Sequence, residues 1–163
     1  METDRYVEAP TYHRPRAGDP PSVFLAGGIT AVAEPWHEHA VRTLLGAPRP
    51  LVVFNPRRAD FPIHDPGAAF EQVSWEQHHL RLAGLTLFWF PRSDASKTTQ
   101  PIALFELGQA LGEGRRIVVG ADPGYPRELD VHLLCRINRP GMPVWSTLDD
   151  TLTAAIEAAH GSR

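Results

Sequence analysis

Glu106 is a carboxylate isolated in an apolar segment. It is the only charged residue within 98–112, and on a helix its neighbours at i−4, i−3 and i+4 would be Ile102, Ala103 and Ala110. Apolar and small surroundings near a helix N-terminus desolvate a carboxylate, which favours a role as a nucleophile or a base. The alternative is a helix glutamate that points to solvent.

Glu76 is the second candidate for catalysis. Val73 and Leu80 are expected on the core-facing stripe of a helix, and Glu76 lies three residues after the first and four before the second. An unpaired charge on such a stripe is costly. Glu76 is therefore expected either at the rim of a cleft or in an ion pair with Arg57 or Arg58, and the pattern leaves both open.

Two adjacent arginines, Arg57 and Arg58, lie just after Asn55, where a strand is expected to end. Guanidinium groups at such a place can hold a phosphate or a carboxylate through paired hydrogen bonds. They can equally pair with acids of the same loop, such as Asp60 and Asp65. The residues alone do not decide between ligand binding and loop support.

No motif for a metal or an organic cofactor is present in the sequence. Gly27-Gly28 lacks the third glycine of a dinucleotide fingerprint, and no lysine follows a glycine-rich loop in the Walker pattern. The eight histidines are not spaced to share one face of a helix. We therefore expect neither a metal nor a cofactor.

Short apolar runs alternate with helical segments along the chain. Four runs predict buried strands, at 22–26, 51–54, 85–90 and 116–120. Four segments predict helices, at 35–45, 68–83, 101–111 and 148–159. The segment 131–137 predicts a fifth strand or an irregular connection. Fully apolar strands between helices indicate a single doubly wound α/β domain with a parallel four- to five-stranded sheet and helices on both faces.

The ends and the composition limit the possible partners. Residues 1–21 are polar and proline-rich, so they are expected to form a disordered or loosely attached arm before a domain over 22–163. A net charge of −3 and a pI near 6.2 give no reason to expect binding to nucleic acid polymers or anionic membranes. No apolar run is long enough for a membrane span or a secretory core, which predicts a cytoplasmic protein.

The ligand of a doubly wound sheet binds beyond the carboxyl ends of its strands. The predicted strands end at 26–30, 55–60, 91–100 and 121–125. The start of the helix that carries Glu106 follows the third of these segments. Any chemistry is therefore expected where these four segments meet.

Six segments in this order resemble the nucleoside 2-deoxyribosyltransferase superfamily, in particular its short bacterial branch. They are VFLAGGI at 23–29, NPRR at 55–58, WE at 75–76, LFWFP at 87–91, PIALFELG at 101–108 and VVG at 118–120. The resemblance covers about residues 22–155. It implies a flavodoxin-like sheet and makes Glu106 the nucleophile, with Glu76 as the acid or a ligand of a sugar hydroxyl.

Some positions depart from the pattern of the active transferases. Phe24 stands where they have a tyrosine, Gly84 where they have an aspartate before the third strand, and Gln100 where they have a further acid. The nucleophile is retained while these helper groups differ. Glu76 or Asp94 is the candidate to compensate, and the alternative is that the protein acts on a different N-glycoside.

The resemblance implies cleavage or transfer at the N-glycosidic bond of a small nucleoside or nucleotide. The glycosyl group would be carried on Glu106 in a covalent intermediate. Asn55 and the backbone of Gly27-Gly28 are expected to line the sugar site, and Trp89 is expected either in the core or as a stacking platform. The site prediction also includes Phe24, Arg57, Arg58, Asp94 and Gln100 as substrate contacts.

Two other functions stay open at this point. One is a nucleotide N-glycoside hydrolase in which Arg57 or Arg58 holds a 5′-phosphate. The other is a module that senses nucleotides without turnover. The resemblance further implies a homo-oligomer, with the loop 61–63 and the stretch 143–145 as expected contact surfaces.

Overall fold

The computed structural model describes residues 5–161 as one sheet flanked by helices. The strands are β1 (Tyr6–Glu8), β2 (Ser22–Gly27), β3 (Val52–Asn55), β4 (Leu85–Phe90), β5 (Ile117–Ala121) and β6 (Val144–Trp145). The helices are α1 (His37–Leu45), α2 (Pro66–Leu82), α3 (Pro101–Gly112), α4 (Glu128–Asn138) and α5 (Leu148–His160). The predicted α/β architecture is confirmed.

All neighbouring strands of the sheet are parallel, in the order β1-β3-β2-β4-β5-β6. The sheet has six strands rather than the predicted four to five. From β2 the chain first moves outward to β3 and then returns to place β4 on the other side of β2. This reversal opens a crevice beyond the carboxyl ends of β2 and β4, where doubly wound sheets bind ligands.

The four central strands, β2 to β5, are buried on both faces because helices cover each side of the sheet. On β2, Val23 and Leu25 pack with α1 and α5, whereas Phe24 and Ala26 pack with α2 and α3. The side chains of a strand alternate between faces, so a strand covered on both sides must be apolar throughout. This requirement explains why the sequence pattern revealed the main strands clearly.

The prediction of a loosely attached arm over residues 1–21 needs correction for the part that the structure describes. Residues 6–8 form β1, an edge strand paired in parallel with Val53–Asn55 of β3. The strand contributes only one buried apolar side chain, Val7, so its apolar pattern is too short to predict. Residues 1–4 lie outside the described part of the chain.

His79 on α2 attaches the segment between β1 and β2 to the domain. Its Nε2 accepts a hydrogen bond from the His13 backbone N–H at 3.1 Å, and its Nδ1 donates to the Trp75 carbonyl at 2.9 Å. The Trp75 indole N–H in turn donates to the Thr11 carbonyl at 2.7 Å. Both ring nitrogens are used in the neutral tautomer, and burial lowers the pKa of His79 to about 4.

The segment 131–137 is helical, and the prediction of a strand or irregular connection there was wrong. It belongs to α4, in which Val131 and Cys135 are the buried residues. Their i, i+4 spacing is that of a helix, but Leu133, Leu134 and Ile137 are exposed and made the segment look uniformly apolar. The additional strand beside β5 is the two-residue β6.

No helix among residues 5–161 is long and apolar enough to cross a membrane.

The protonation of His79 is expected to weaken the fold in acid. The unfolded histidine titrates near pH 6.5, whereas the folded one stays neutral to about pH 4. Between these values the unfolded state binds more protons, so the free energy of unfolding falls as the pH is lowered, by up to about 1.4 kcal/mol per pH unit. Above about pH 6.5 this contribution is complete.

Chemical denaturation of wild type and His79→Gln at pH 4.5, 5.5 and 7.5 measures the effect. The buried His37, whose pKa burial lowers to about 3, adds to the pH dependence of both proteins, so their difference isolates His79. The variant is expected to be less stable at pH 7.5 and to lose less stability in acid. Parallel stability curves for the two proteins would contradict the assignment.

Candidate active site

A cavity of about 480 Å³ lies beyond the carboxyl end of β2. Its walls come from the loop after β2, from the first half of α2 and from the first turns of α3. This is the crevice that the reversal of strand order creates. Of the predicted site residues, the cavity brings together six, which are Phe24, Gly27, Gly28, Glu76, Gln100 and Glu106.

Glu106 lies on the second turn of α3 and is 7% exposed. Burial and, to a smaller extent, the negative charge of Glu76 raise the pKa of its carboxyl to about 8, against the opposing positive charge of Arg115. No described residue donates a hydrogen bond that stabilises the charged form. A carboxyl of this kind holds a proton near neutral pH unless a neighbour takes that proton or its charge is offset.

Glu76 faces the same cavity from α2. Burial raises the pKa of its carboxyl, and a hydrogen bond from the Gln72 amide lowers it. The Gln72 Nε2 donates to Glu76 Oε1 at 2.8 Å. The ion pair with Arg57 or Arg58 that the sequence left open is absent among residues 5–161, and Glu76 lies at the rim of a cleft, the other predicted possibility.

The helical stripe that was expected to bury Glu76 is split in two. Leu80 is buried as predicted, but Val73 is 56% exposed and borders the cavity. In the first half of α2 only Ala68 is buried, and Phe70 is exposed together with Val73. Val73 therefore belongs to the cavity wall rather than to the core.

Gln100 holds the loop between β4 and α3. It caps α3 from a left-handed backbone conformation with φ 53°, which is strained for a residue with a side chain. Its Nε2 donates to the Pro91 carbonyl at 2.8 Å and to Ser93 Oγ at 3.1 Å. Its Oε1 packs so closely on Gly28 that a Cβ at that position would overlap it. Gly28 and Gln100 together shape one wall of the cavity.

Phe24 lines the cavity on β2 without offering a polar group. Its ring packs tilted against Trp75, with ring centroids 6.1 Å apart, and it is fully buried. The position is therefore apolar in this chain, where the active transferases are expected to have a hydroxyl.

Asn55 does not line the cavity. Its Nδ2 donates to the Tyr6 hydroxyl at 3.0 Å, and its Oδ1 accepts the Arg57 backbone N–H at 3.0 Å. Tyr6 donates in turn to Glu8 at 2.6 Å. The Asn55 side chain thus joins the end of β3 to the edge strand β1.

The two arginines also lie outside the cavity wall. Arg58 pairs with Glu71 on α2 at 2.8 Å, and its guanidinium lies 5.5 Å from the centre of the Phe61 ring. The partner is thus neither of the predicted loop acids. Arg57 is exposed on the surface next to this loop.

Trp89 and Asp94 are likewise not part of the cavity. Trp89 is 5% exposed, packs on the opposite face of the sheet and borders a separate cleft with Arg92. Asp94 is exposed and accepts hydrogen bonds from Ser96 in its own loop. Trp89 therefore matches the core alternative of its prediction.

Gly84 stands at the opposite end of the sheet from the cavity. It precedes β4, and its backbone N–H donates to Ser22 Oγ at 3.0 Å. Six residues of β4 separate it from the carboxyl end, a distance of roughly 20 Å. Gly84 is not among the residues that line the cavity.

Gln72 is the cavity residue that sequence reasoning missed. The available signal was its i−4 spacing from Glu76 on a predicted helix, which places the two side chains on one face. Such spacing is common, and only the folded loop after β3 supplies the second partner of the amide, the Pro56 carbonyl at 2.6 Å.

The charged side chains of the cavity wall are both acidic. Neither lysine nor arginine lines it within the described chain, and the remaining lining is mostly apolar. Within residues 5–161 no group of three histidine, cysteine, aspartate or glutamate side chains is arranged to hold a metal ion. The site as built therefore offers carboxyl groups, amides and apolar surface to a ligand.

Comparison with known protein families identifies the family of this chain. Residues 20–125 match the family model described as nucleoside 2-deoxyribosyltransferase like. No curated protein matches the sequence. The matched part runs from β2 to the loop after β5 and includes every residue of the cavity named above. Since the match covers well over half of the 163 residues, the chain belongs to the nucleoside 2-deoxyribosyltransferase-like family.

Proposed function

We propose that this protein cleaves or transfers the N-glycosidic bond of nucleosides or deoxynucleosides, with Glu106 as the nucleophile. The observation that carries the proposal is the presence of two carboxyl groups, the buried Glu106 and the half-buried Glu76, in one cavity without a basic side chain in its wall. Family membership supplies the substrate class.

The electrostatics of the pair suit an acid and a nucleophile. Burial raises the pKa of both groups, and the charge of Glu76 further raises that of Glu106. Ionising both at once is therefore unfavourable, and one proton shared by the pair is the favoured state. In the free protein the pKa of about 8 puts this proton on Glu106, and the productive arrangement requires that it moves to Glu76 and leaves Glu106 ionised.

The reaction would then follow the double displacement of retaining glycosidases. The Glu106 carboxylate attacks the anomeric carbon, the bond from that carbon to the base breaks, and Glu76 gives its proton to the departing base nitrogen. A second base or a water molecule attacks the glycosyl–Glu106 ester in turn. The incoming group gives a proton to Glu76, and Glu106 leaves as a carboxylate.

The apolar wall favours the oxocarbenium-like transition state of this reaction. Phe24 and Ala103 line the cavity together with Glu106, and in apolar surroundings a negative charge stabilises a developing positive charge more strongly than in water. The same surroundings disfavour a phosphate, because the wall offers two acids and no cation to it. The cavity therefore fits an uncharged nucleoside better than a nucleotide.

A non-catalytic sensing module is the second candidate. The observation that favours it is the lack of a described hydrogen-bond donor to Glu106, since Phe24 offers no hydroxyl. Turnover decides between the two, because a sensor would bind nucleosides in the same cavity without releasing the base.

Replacement of Glu106 by glutamine is expected to reduce base release below a tenth of the wild-type rate. The amide cannot attack the anomeric carbon, so the covalent path is lost. The fold should persist or gain stability, because the change removes a desolvated acid. Chromatography of bases released from a nucleoside panel measures the rate.

Glu157→Gln provides the matched control, because Glu157 is an exposed glutamate on α5. This control should behave as wild type. A Glu106→Gln protein that keeps more than a tenth of the activity would refute the nucleophile assignment.

The arginine variants test the nucleotide hydrolase alternative. Arg57→Ala should leave the affinities for a nucleoside and for its 5′-monophosphate unchanged, because Arg57 does not line the cavity. Arg58→Ala should lower the free energy of unfolding by about 1 kcal/mol, because the ion pair with Glu71 is lost. It should weaken the binding of the nucleoside and of the 5′-monophosphate to the same extent. Calorimetric titration of each variant with both ligands gives the comparison.

If either variant loses affinity for the 5′-monophosphate but not for the nucleoside, the nucleotide hydrolase becomes the better-supported function. The size of this loss would be about 1.5–3 kcal/mol, the range for a hydrogen bond to a charged group.

We further propose a homo-oligomer formed through the rim of the cavity. Four exposed large apolar side chains line the cavity, which are Phe61, Val73, Ile102 and Phe105. Two more, Ile63 and Phe70, are exposed on the same loop and on the same helix, α2. Surfaces of this kind commonly mark contacts between chains. The second predicted contact, 143–145, is mostly occupied within the chain, since Val144 and Trp145 pair with β5.

Light scattering at micromolar concentration should give a mass above the 18.0 kDa of one chain. Phe70→Lys, next to the cavity residue Ala69 on α2, should shift the mass towards one chain, whereas Ile137→Lys, on the similarly exposed surface of α4, should not. A fully active monomer would contradict the proposal.

A further inference from the structure

The Gln72 amide bridges the acid Glu76 and the loop that follows β3. Its Nε2 donates to the Pro56 carbonyl at 2.6 Å and to Glu76 Oε1 at 2.8 Å. Pro56 is buried directly after the last residue of β3, and Gln72 and Glu76 are one helical turn apart on α2. One side chain thus joins two walls of the cavity.

The orientation of this amide is determined by its partners. A backbone carbonyl can only accept, so the NH₂ group must face Pro56. Its two hydrogens are then both used, one on Pro56 and one on Glu76. The amide oxygen is buried and has no partner among the described residues, so turning the amide would lose both bonds.

We propose that Gln72 is a positioning residue that holds Glu76 Oε1 as an acceptor and so leaves Oε2 as the oxygen that exchanges a proton with the leaving base. The inference rests on the proposed function for its catalytic meaning. It adds a residue that acts through Glu76 and determines which oxygen of the acid carries the proton.

The chemistry of a carboxyl group explains the division of roles. In its protonated form the proton resides on one oxygen, and the carbonyl-type oxygen is the better acceptor. The bond from Gln72 therefore stabilises the form with the proton on Oε2. It also fixes the plane of the carboxyl group, which reduces the rotations that would carry the proton away from the substrate.

The same bond affects the pH at which Glu76 can act. It stabilises the ionised carboxylate and lowers the pKa of Glu76, against the effect of burial. The other charged groups that act on the pair are Glu106 on α3, whose charge opposes that of Glu76, and Arg115, whose charge lowers the pKa of Glu106. Loss of the bond should therefore keep Glu76 protonated to higher pH.

Two substitutions shift the pKa of Glu76 in opposite directions. Gln72→Met keeps the length of the side chain and removes the donor, so the pKa should rise. Gln72→Lys places a positive charge beside the carboxylate, so the pKa should fall. Gln109→Met on α3, outside the cavity wall, is the control for loss of a partly buried glutamine and should leave the pKa unchanged.

Carbon NMR titration of the glutamate carboxyl groups reads the pKa directly. The Glu76 signal is identified by its absence in Glu76→Gln. In the same proteins, the alkaline limb of the kcat/KM profile should move to higher pH in Gln72→Met and to lower pH in Gln72→Lys. The value of kcat at the optimum should fall about tenfold in Gln72→Met, which corresponds to one hydrogen bond.

These experiments distinguish a failure of the positioning role of Gln72 from a failure of the proposed function. If no nucleoside releases its base with the wild-type protein, the proposed function fails, whereas the titration still tests the contact between Gln72 and Glu76. An unchanged Glu76 pKa in both variants overturns the positioning role. If Gln72→Met does not fold, the downward shift expected for Gln72→Lys alone decides the question.

Discussion

The cost of placing two negative charges in one apolar cavity governs the candidate site. Glu76 and Glu106 come from different helices and line one cavity with Phe24 and other apolar groups. Burial opposes ionisation of each group, and the charge of Glu76 opposes that of Glu106. A single proton on the pair is the state that these effects favour near neutral pH, and Glu106, whose pKa is raised to about 8, is the group that holds it.

The cavity that imposes this constraint is built by the reversal of strand order beside β2. The reversal leaves the loop after β2 and the start of α3 side by side, and Gly28 lets the Gln100 side chain pack against its backbone. The strained backbone of Gln100 costs on the order of 1 kcal/mol. Its hydrogen bonds to Pro91 and Ser93 offset this cost and hold the start of α3, and with it Glu106, in place.

Several polar residues near the carboxyl ends of the strands stabilise the fold rather than lining the cavity. Asn55 ties β3 to the edge strand through Tyr6, and Arg58 ties the following loop to α2 through Glu71. This loop carries Pro56, to which the Gln72 amide donates. Contacts that hold this loop therefore also help to fix the position of Glu76, through Pro56 and Gln72. Neither Asn55 nor Arg58 lines the cavity itself.

The local sequence determined the doubly wound sheet and the isolation of Glu106, because both follow from periodicity and from the contrast between one charge and its apolar neighbours. It did not determine the three-residue β1, the helical state of 131–137 or the role of Gln72. A strand with one buried side chain and a helix with two carry too little pattern to be read locally. Only the tertiary structure decided which polar groups face the cavity, because that choice depends on contacts between segments far apart in the chain, such as Asn55 with Tyr6 and Gln72 with Pro56.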